Sequence, residues 1–282
     1  MSQVAVPVPK PALWPIDMPL QPRPRGALWI GVAGKGGSGK SVLSGTLARV
    51  LARRGHQVLA IDSDPMPGLA HSLGVEEPDE PRLMAAAEKP EKGPWRLRSG
   101  IGPMTVVRRY TTPAPDGIRM LQLGKSGKDG LSPVNGSVNA FLATVRRMHE
   151  APPLYEWAIV GDLPAGPRQL AAGFSPYARV YVVVVEPTSQ SAMTGRRVAR
   201  IARGPLGADV IFAASKVDGA QQRERVERLI GERVECVIPT DQAVRDAENR
   251  RVAVIDAAPD SAVVRAVEEL ADIIEQRGTE SA

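Results

Sequence analysis

The stretch Trp29–Ala48, WIGVAGKGGSGKSVLSGTLA, holds the residues whose types and spacing can do chemistry. Its glycines satisfy two templates. Gly34, Gly36 and Gly39 make the G-x-G-x-x-G of a dinucleotide site, whereas Gly34, Gly39, Lys40 and Ser41 make the G-x-x-x-x-G-K-[ST] of a P-loop. Both templates want a strand, a tight glycine turn and a helix whose first amides face a phosphate, so the flanking residues do not separate them. Asp62, at the end of the next apolar run, even stands where a ribose-binding carboxylate would. Lys40 decides the matter. A dinucleotide needs no charge after the third glycine, but a triphosphate needs an ammonium beside it, and Ser41 then offers a hydroxyl to Mg2+. Gly34, Gly36, Gly37, Ser38, Gly39, Lys40, Ser41 and Val42 are expected to wrap a nucleoside triphosphate.

The elements that must position this loop are short apolar runs alternating with amphipathic stretches. Strands are expected at 28–33, 57–61, 118–123, 156–161, 179–185, 209–214 and 234–238, several of them apolar throughout, as strands buried on both faces are. Helices are expected at 39–54, 138–149, 189–203, 220–231 and 260–277, the last opening on Asp260 as N-cap. The alternation predicts an α/β fold: one doubly wound, mostly parallel sheet with helices on both faces, spanning residues 27–282. Residues 1–26 contain seven prolines and read as a disordered tail or a docking segment anchored by Trp14 and Leu20. Residues 81–117, also rich in proline, read as an irregular insertion.

Composition limits the alternatives. A single cysteine, Cys236, excludes an intrachain disulfide framework, and the longest apolar run, Val180–Val185, is too short to span a bilayer. A cytoplasmic location is the expectation. The net charge of +5 suits a polyanionic partner without requiring one.

Lys35 adds a second cation to the loop, giving G-K-G-G-S-G-K-S, which resembles the deviant Walker A motif of the ATPase class that includes MinD, the ParA partition ATPases and the nitrogenase iron protein. The resemblance implies ATP and Mg2+ as ligands and an ATP-dependent homodimer, in which Lys35 reaches the phosphates held by the partner subunit. A cation supplied in trans is physically apt, because it stabilises charge on the transferring phosphoryl group. LAIDSDPMPGLAHSLGV is similar to the class's switch I, so Asp64 addresses the attacking water and Asp62 belongs to the magnesium shell. Taken alone, Asp-Ser-Asp-Pro makes a turn just as readily. WAIVGDLPAG resembles switch II, implying that Asp162 holds Mg2+ through water and that Gly166 lets the loop move. FAASKVDG resembles the base-binding segment, with Lys216 in place but Ser215 where Asn is expected. VIPTDQAV resembles the loop flanking the base, which makes Pro239 and Asp241 further candidates.

Within the class, residues 28–275 resemble the CO dehydrogenase maturation ATPases, which assist nickel insertion. That family's Cys-x-Cys is missing, since Gly130 and Ser132 stand at its positions, and His56, His71 and His149 are not clustered. The engine is expected to be kept and the thiolate cargo site lost. One cysteine also argues against a bridging four-iron cluster. Glu268, Glu269, Asp272 and Glu275 on the last helix would repel an anionic membrane. The expected function is an ATP-driven switch serving a client protein. A DNA-associated partition ATPase is an alternative, through Arg196, Arg197, Arg200 and Arg203 or Arg223, Arg225 and Arg228, and an ATP-dependent small-molecule synthetase or kinase is another.

Overall fold

The computed structural model describes residues 24–64, 68–76, 82–124 and 132–280. Along them the chain forms β1 (Trp29–Gly34), α1 (Lys40–Arg53), β2 (Val58–Asp62), α2 (Leu69–Leu73), β3 (Ala87–Glu88), β4 (Arg96–Leu97), α3 (Pro103–Arg109), β5 (Thr112–Pro113), β6 (Arg119–Gln122), α4 (Ser132–Val145), β7 (Ala158–Asp162), α5 (Arg168–Ala171), β8 (Val180–Val185), α6 (Ser189–Arg203), β9 (Asp209–Ser215), α7 (Ala220–Ile230), β10 (Cys236–Ile238), α8 (Gln242–Asn249), α9 (Val254–Ala257) and α10 (Ala262–Glu280). Eight strands make one sheet in the order β10-β9-β8-β1-β7-β2-β6-β5. Its pairings are parallel except that of β5 with β6. Pro113 sits in β5, at an edge where its missing N–H breaks no ladder.

Strand side chains alternate between faces, so each continuous apolar run feeds two cores. From β8, Tyr181, Val183 and Val185 join Trp29 and Ala33 of β1, Phe141 of α4, Val198 of α6 and Val226 of α7. Val182 and Val184 point the other way, to Ile30, Val32, Leu47 of α1, Val254 of α9 and Leu270 of α10. Parallel neighbours need crossover helices, and these cover both faces of the sheet.

Three expectations require adjustment. The helix expected at 138–149 begins earlier and runs Ser132–Val145. The last helix does not open on Asp260, because its first amides find other partners. Val263 N–H donates to Asp241 Oδ2 at 3.1 Å and Val264 N–H to Ser261 Oγ at 3.4 Å, while Asp260 offers Arg265 only its main-chain carbonyl. The 81–117 stretch is more regular than its prolines suggest. β3 and β4 pair antiparallel, Pro103 opens α3 where no N–H is needed, and Val106 and Val107 are fully buried. Residues 1–23, with Trp14 and Leu20, as well as Pro65, Pro81 and Gly130, lie outside the described residues. Among the described residues, no helix is long and apolar enough to cross a membrane.

Candidate functional site

Parallel register gathers the site. Asp62 and Asp162, a hundred positions apart in sequence, are direct partners at the carboxyl ends of β2 and β7, and Asp162 is also the partner of Val32 in β1. The turn after β1 faces this pair, at the end of the sheet where open α/β folds bind ligands.

The turn needs its glycines for different reasons. Gly37 and Gly39 have φ of 79° and 88°, which L side chains seldom adopt. Gly34 packs against β8 so closely that a Cβ would lie 2.5 Å from the Val184 carbonyl oxygen. Ser38 is buried and its hydroxyl donates to the Lys35 carbonyl at 2.8 Å. Lys40 curls back to the same oxygen, with its Nζ 3.1 Å away. Burial pulls the Lys40 pKa below the usual ammonium value, opposed by the charges of Asp162, Asp64 and Glu186. Lys35 behaves differently. It is half-buried, and its ammonium makes none of the hydrogen bonds or ion pairs found among the described residues.

Asp162 is buried and accepts a hydrogen bond from Ser44 Oγ at 3.3 Å. Burial raises its pKa to about 6, resisted by the Ser41 hydroxyl and by the Lys40 charge. Asp62 is fully buried as well. Its Oδ1 accepts from Asp64 N–H at 3.1 Å and its Oδ2 from Leu69 N–H at 3.2 Å, so one carboxylate holds the main chain at both Asp64 and Leu69. Burial, then the Asp162 charge, pushes Asp62 to about 7 despite those two amides. Asp64 is half-buried and close enough to act by charge on both Lys40 and Asp162.

Two carboxylates raised by dehydration beside a serine hydroxyl form an oxygen set of the hard kind that Mg2+ prefers. A divalent cation there would relieve both carboxylates at once. The loop after β7 then reaches the turn, where Gly166 N–H donates to the Gly34 carbonyl at 2.9 Å and Gly166 itself has φ of 83°.

A cavity of about 450 Å3 continues from the phosphate turn toward the far loops, lined by Gly37, Gly39, Lys40, Ser41, Val42, Ser215, Lys216, Pro239 and Asp241 among others. The structure therefore brings the base-side candidates together with the turn. Two of them are engaged in ways the sequence does not reveal. Lys216, with φ of 57°, donates from Nζ to the Gly37 carbonyl at 2.5 Å and pairs with Glu186 at 2.9 Å, bracing the phosphate turn. Asp241 caps two helices, accepting from Ala243 N–H at 2.9 Å through Oδ1 and from Val263 N–H through Oδ2.

Sequence reasoning missed Ser44 and Glu186. Signals for both were present. Ser44 lies one helical turn beyond Lys40 and so shares its face, and Glu186 follows an apolar run as Asp162 ends one.

A left-handed glycine turn opening a helix, with carboxylates at the ends of two neighbouring parallel strands, defines a P-loop nucleotide-binding fold of the doubly wound type. Residues 29–251 match the family model described as CobQ/CobB/MinD/ParA nucleotide binding domain, and the chain belongs to that family. Among curated proteins it is similar to the carbon monoxide dehydrogenase accessory protein CooC of Rhodospirillum rubrum, 30% identical over 251 residues that cover 82% of this chain and 90% of the relative. It is also similar to an uncharacterized ATP-binding protein of Methanocaldococcus jannaschii, 25% identical over 76% of this chain and 89% of that one. Among solved structures, the cell division ATPase MinD of Pyrococcus furiosus superposes with a TM-score of 0.68 at 21% identity, covering 89% of this chain and 99% of the other. The septum site-determining protein MinD of Pyrococcus horikoshii, complexed with Mg-ADP, gives 0.68 at 17% identity over 90% and 98%. These structural likenesses establish the fold.

Proposed function

We propose that the chain is an accessory ATPase that binds MgATP in the 34–41 turn, closes as a homodimer and changes its affinity for a client protein as ATP is hydrolysed. The supporting observation is the division of labour between two lysines of one turn. Lys40 is buried and bent inward over the loop, where it would grip the β and γ phosphates. Lys35 keeps its ammonium out of the described hydrogen-bond and ion-pair network, where a phosphate of a second subunit's nucleotide could meet it. Ser41 and Asp162 serve Mg2+, Asp62 holds switch I and completes the outer magnesium shell, and Asp64 orients or deprotonates the attacking water. Bound Mg2+ would supply neutralisation of charge on the phosphates. The Gly166–Gly34 main-chain bond gives switch II a contact to exchange as the γ-phosphate comes and goes. The named function of the Rhodospirillum relative, an accessory protein of carbon monoxide dehydrogenase, supports an accessory role.

Lys35→Ala tests the reading. With a non-hydrolysable ATP analogue and Mg2+, the variant should bind nucleotide within about threefold of wild type yet stay monomeric by light scattering, because only a contact across the interface is removed. A variant that loses nucleotide affinity, or that dimerises normally, would show that Lys35 acts within its own subunit or not at all.

A further inference from the structure

α6 turns a face to solvent that neither core uses. Ser191, Ala192, Gly195, Val198, Ala199 and Ala202 are its buried positions. On the opposite side Met193 is 44% exposed, the one large hydrophobic side chain exposed to that degree among the described residues. Arg196 and Arg200 follow it at helical spacing, with Arg197 alongside, all exposed and none with an acidic partner among the described residues. The next arginine of the helix, Arg203, is already satisfied by Glu232 through two bonds at 2.7 and 2.6 Å. A thioether followed by three available guanidinium groups therefore forms a compact stripe.

The start of this helix is wired to the phosphate turn. Glu186 directly follows β8 and pairs with Lys216, whose ammonium holds the Gly37 carbonyl. Glu186 N–H donates to Ser191 Oγ at 2.9 Å, and Ser191 N–H donates to the capping Thr188 Oγ1 at 3.3 Å. Whatever moves Lys216 thus pulls on the first turn of α6 through Glu186.

Charge and chemistry select the kind of partner. A nucleic acid would meet at most three phosphate contacts here, giving a salt slope no steeper than about −2.7. The adjoining α7 adds little to that attraction, because its Arg223 and Arg228 are already paired with Glu227 and Glu224. An exposed Met centred beside arginines is instead the composition of a protein interface core, where Met and Arg are enriched. We propose that Met193, Arg196, Arg197 and Arg200 form the docking surface for an acidic protein segment that also offers an apolar group to Met193, with docking coupled to the nucleotide through Glu186. The coupling clause rests on the MgATP reading above; the surface itself does not.

The test selects dodecapeptides from a displayed random library on the full chain with Mg2+ and a non-hydrolysable ATP analogue. The tightest is then labelled with fluorescein for anisotropy, beside an equally labelled short DNA duplex. Selected peptides should be rich in Asp and Glu around an apolar residue. Arg196→Glu with Arg197→Glu and Arg200→Glu should weaken binding by roughly 30-fold or more, and Met193→Ala by roughly fivefold, with both variants keeping the wild-type circular dichroism spectrum. Affinity should differ by about threefold or more between the ATP analogue and ADP, and Glu186→Gln should erase that difference. Peptides without acidic enrichment, or binding the triple variant equally well, would overturn the proposal. So would a duplex that binds more tightly than any peptide and is insensitive to Met193→Ala. Calorimetry of MgATP binding to the same preparations separates the two readings. Absence of nucleotide binding sinks the ATPase proposal, whereas normal nucleotide binding with nucleotide-independent peptide affinity sinks the coupling.

Discussion

Gly161 directly precedes Asp162 on β7, and the face it turns away from the nucleotide side is covered by the Tyr177 ring. A Cβ at Gly161 would lie 2.1 Å from the Tyr177 hydroxyl and 3.2 Å from the ring carbon that bears it. Tyr177 is 1% exposed and cannot swing out, so either ring or strand must move when Gly161→Ala is made. Overpacking of this kind costs about 1–3 kcal/mol. The Tyr177 hydroxyl has no hydrogen-bond partner among the described residues, and burial holds its pKa well above the usual phenol value, so it remains a neutral donor unsatisfied by them. Such a group costs about 1–3 kcal/mol to bury, and Tyr177→Phe should be neutral or stabilising. The double variant removes the closer contact and leaves only the 3.2 Å one, which a shift of a few tenths of an ångström relieves. A coupling of about 1–2 kcal/mol is expected, in favour of the pair. In urea, with a slope of about 3 kcal/mol per molar, Gly161→Ala should lower the midpoint by about 0.7 M and the double variant should recover most of it. MgATP affinity should fall and recover in parallel, because Asp162 is the next residue. Strictly additive effects would refute this account of the packing.

Lys40→Ala should weaken MgATP binding at least about 100-fold in calorimetry, since two charge-assisted bonds to phosphate are lost; binding within threefold of wild type would contradict the site assignment. Asp241→Ala strips the caps from α8 and α10 together and should cost roughly 2 kcal/mol in chemical denaturation, about 1 kcal/mol per cap. A cost near zero would mean that neighbouring groups replace both caps. Arg49 is 3% exposed and bridges Asp116 at 2.5 Å and Asp256 at 2.7 Å, two acids only partly buried and shared with Arg53. Arg49→Ala should therefore destabilise by about 3 kcal/mol, the low end for breaking a buried pair, as read from the thermal midpoint.

Much of the architecture was legible because buried parallel strands leave a plain mark. VYVVVV could hardly be anything but a strand covered on both sides, and each expected strand appears within two residues of its place. The glycine turn that opens α1 was legible because its glycines, Lys40 and Ser41 sit in one contiguous motif. What escaped were features that long-range contacts create. α3 was hidden in a proline-rich stretch because its stability comes from burying Val106 and Val107, which proline frequency does not report. The true capping of α10 depends on Asp241, twenty-two positions upstream of Val263, and no local pattern announces that. Lys216 was expected to face the base; its bond to Gly37 crosses 179 positions and exists only once β9 lies near β1 across β8.

Because strand alternation sends neighbouring side chains to opposite cores, the sheet works as an insulating wall. Ser44, Asp162 and the turn's own helix lie on one side, while α6, α7 and Tyr177 lie on the other. On the proposed coupling, a signal from the nucleotide has to travel around the rim, and Glu186 stands at that corner.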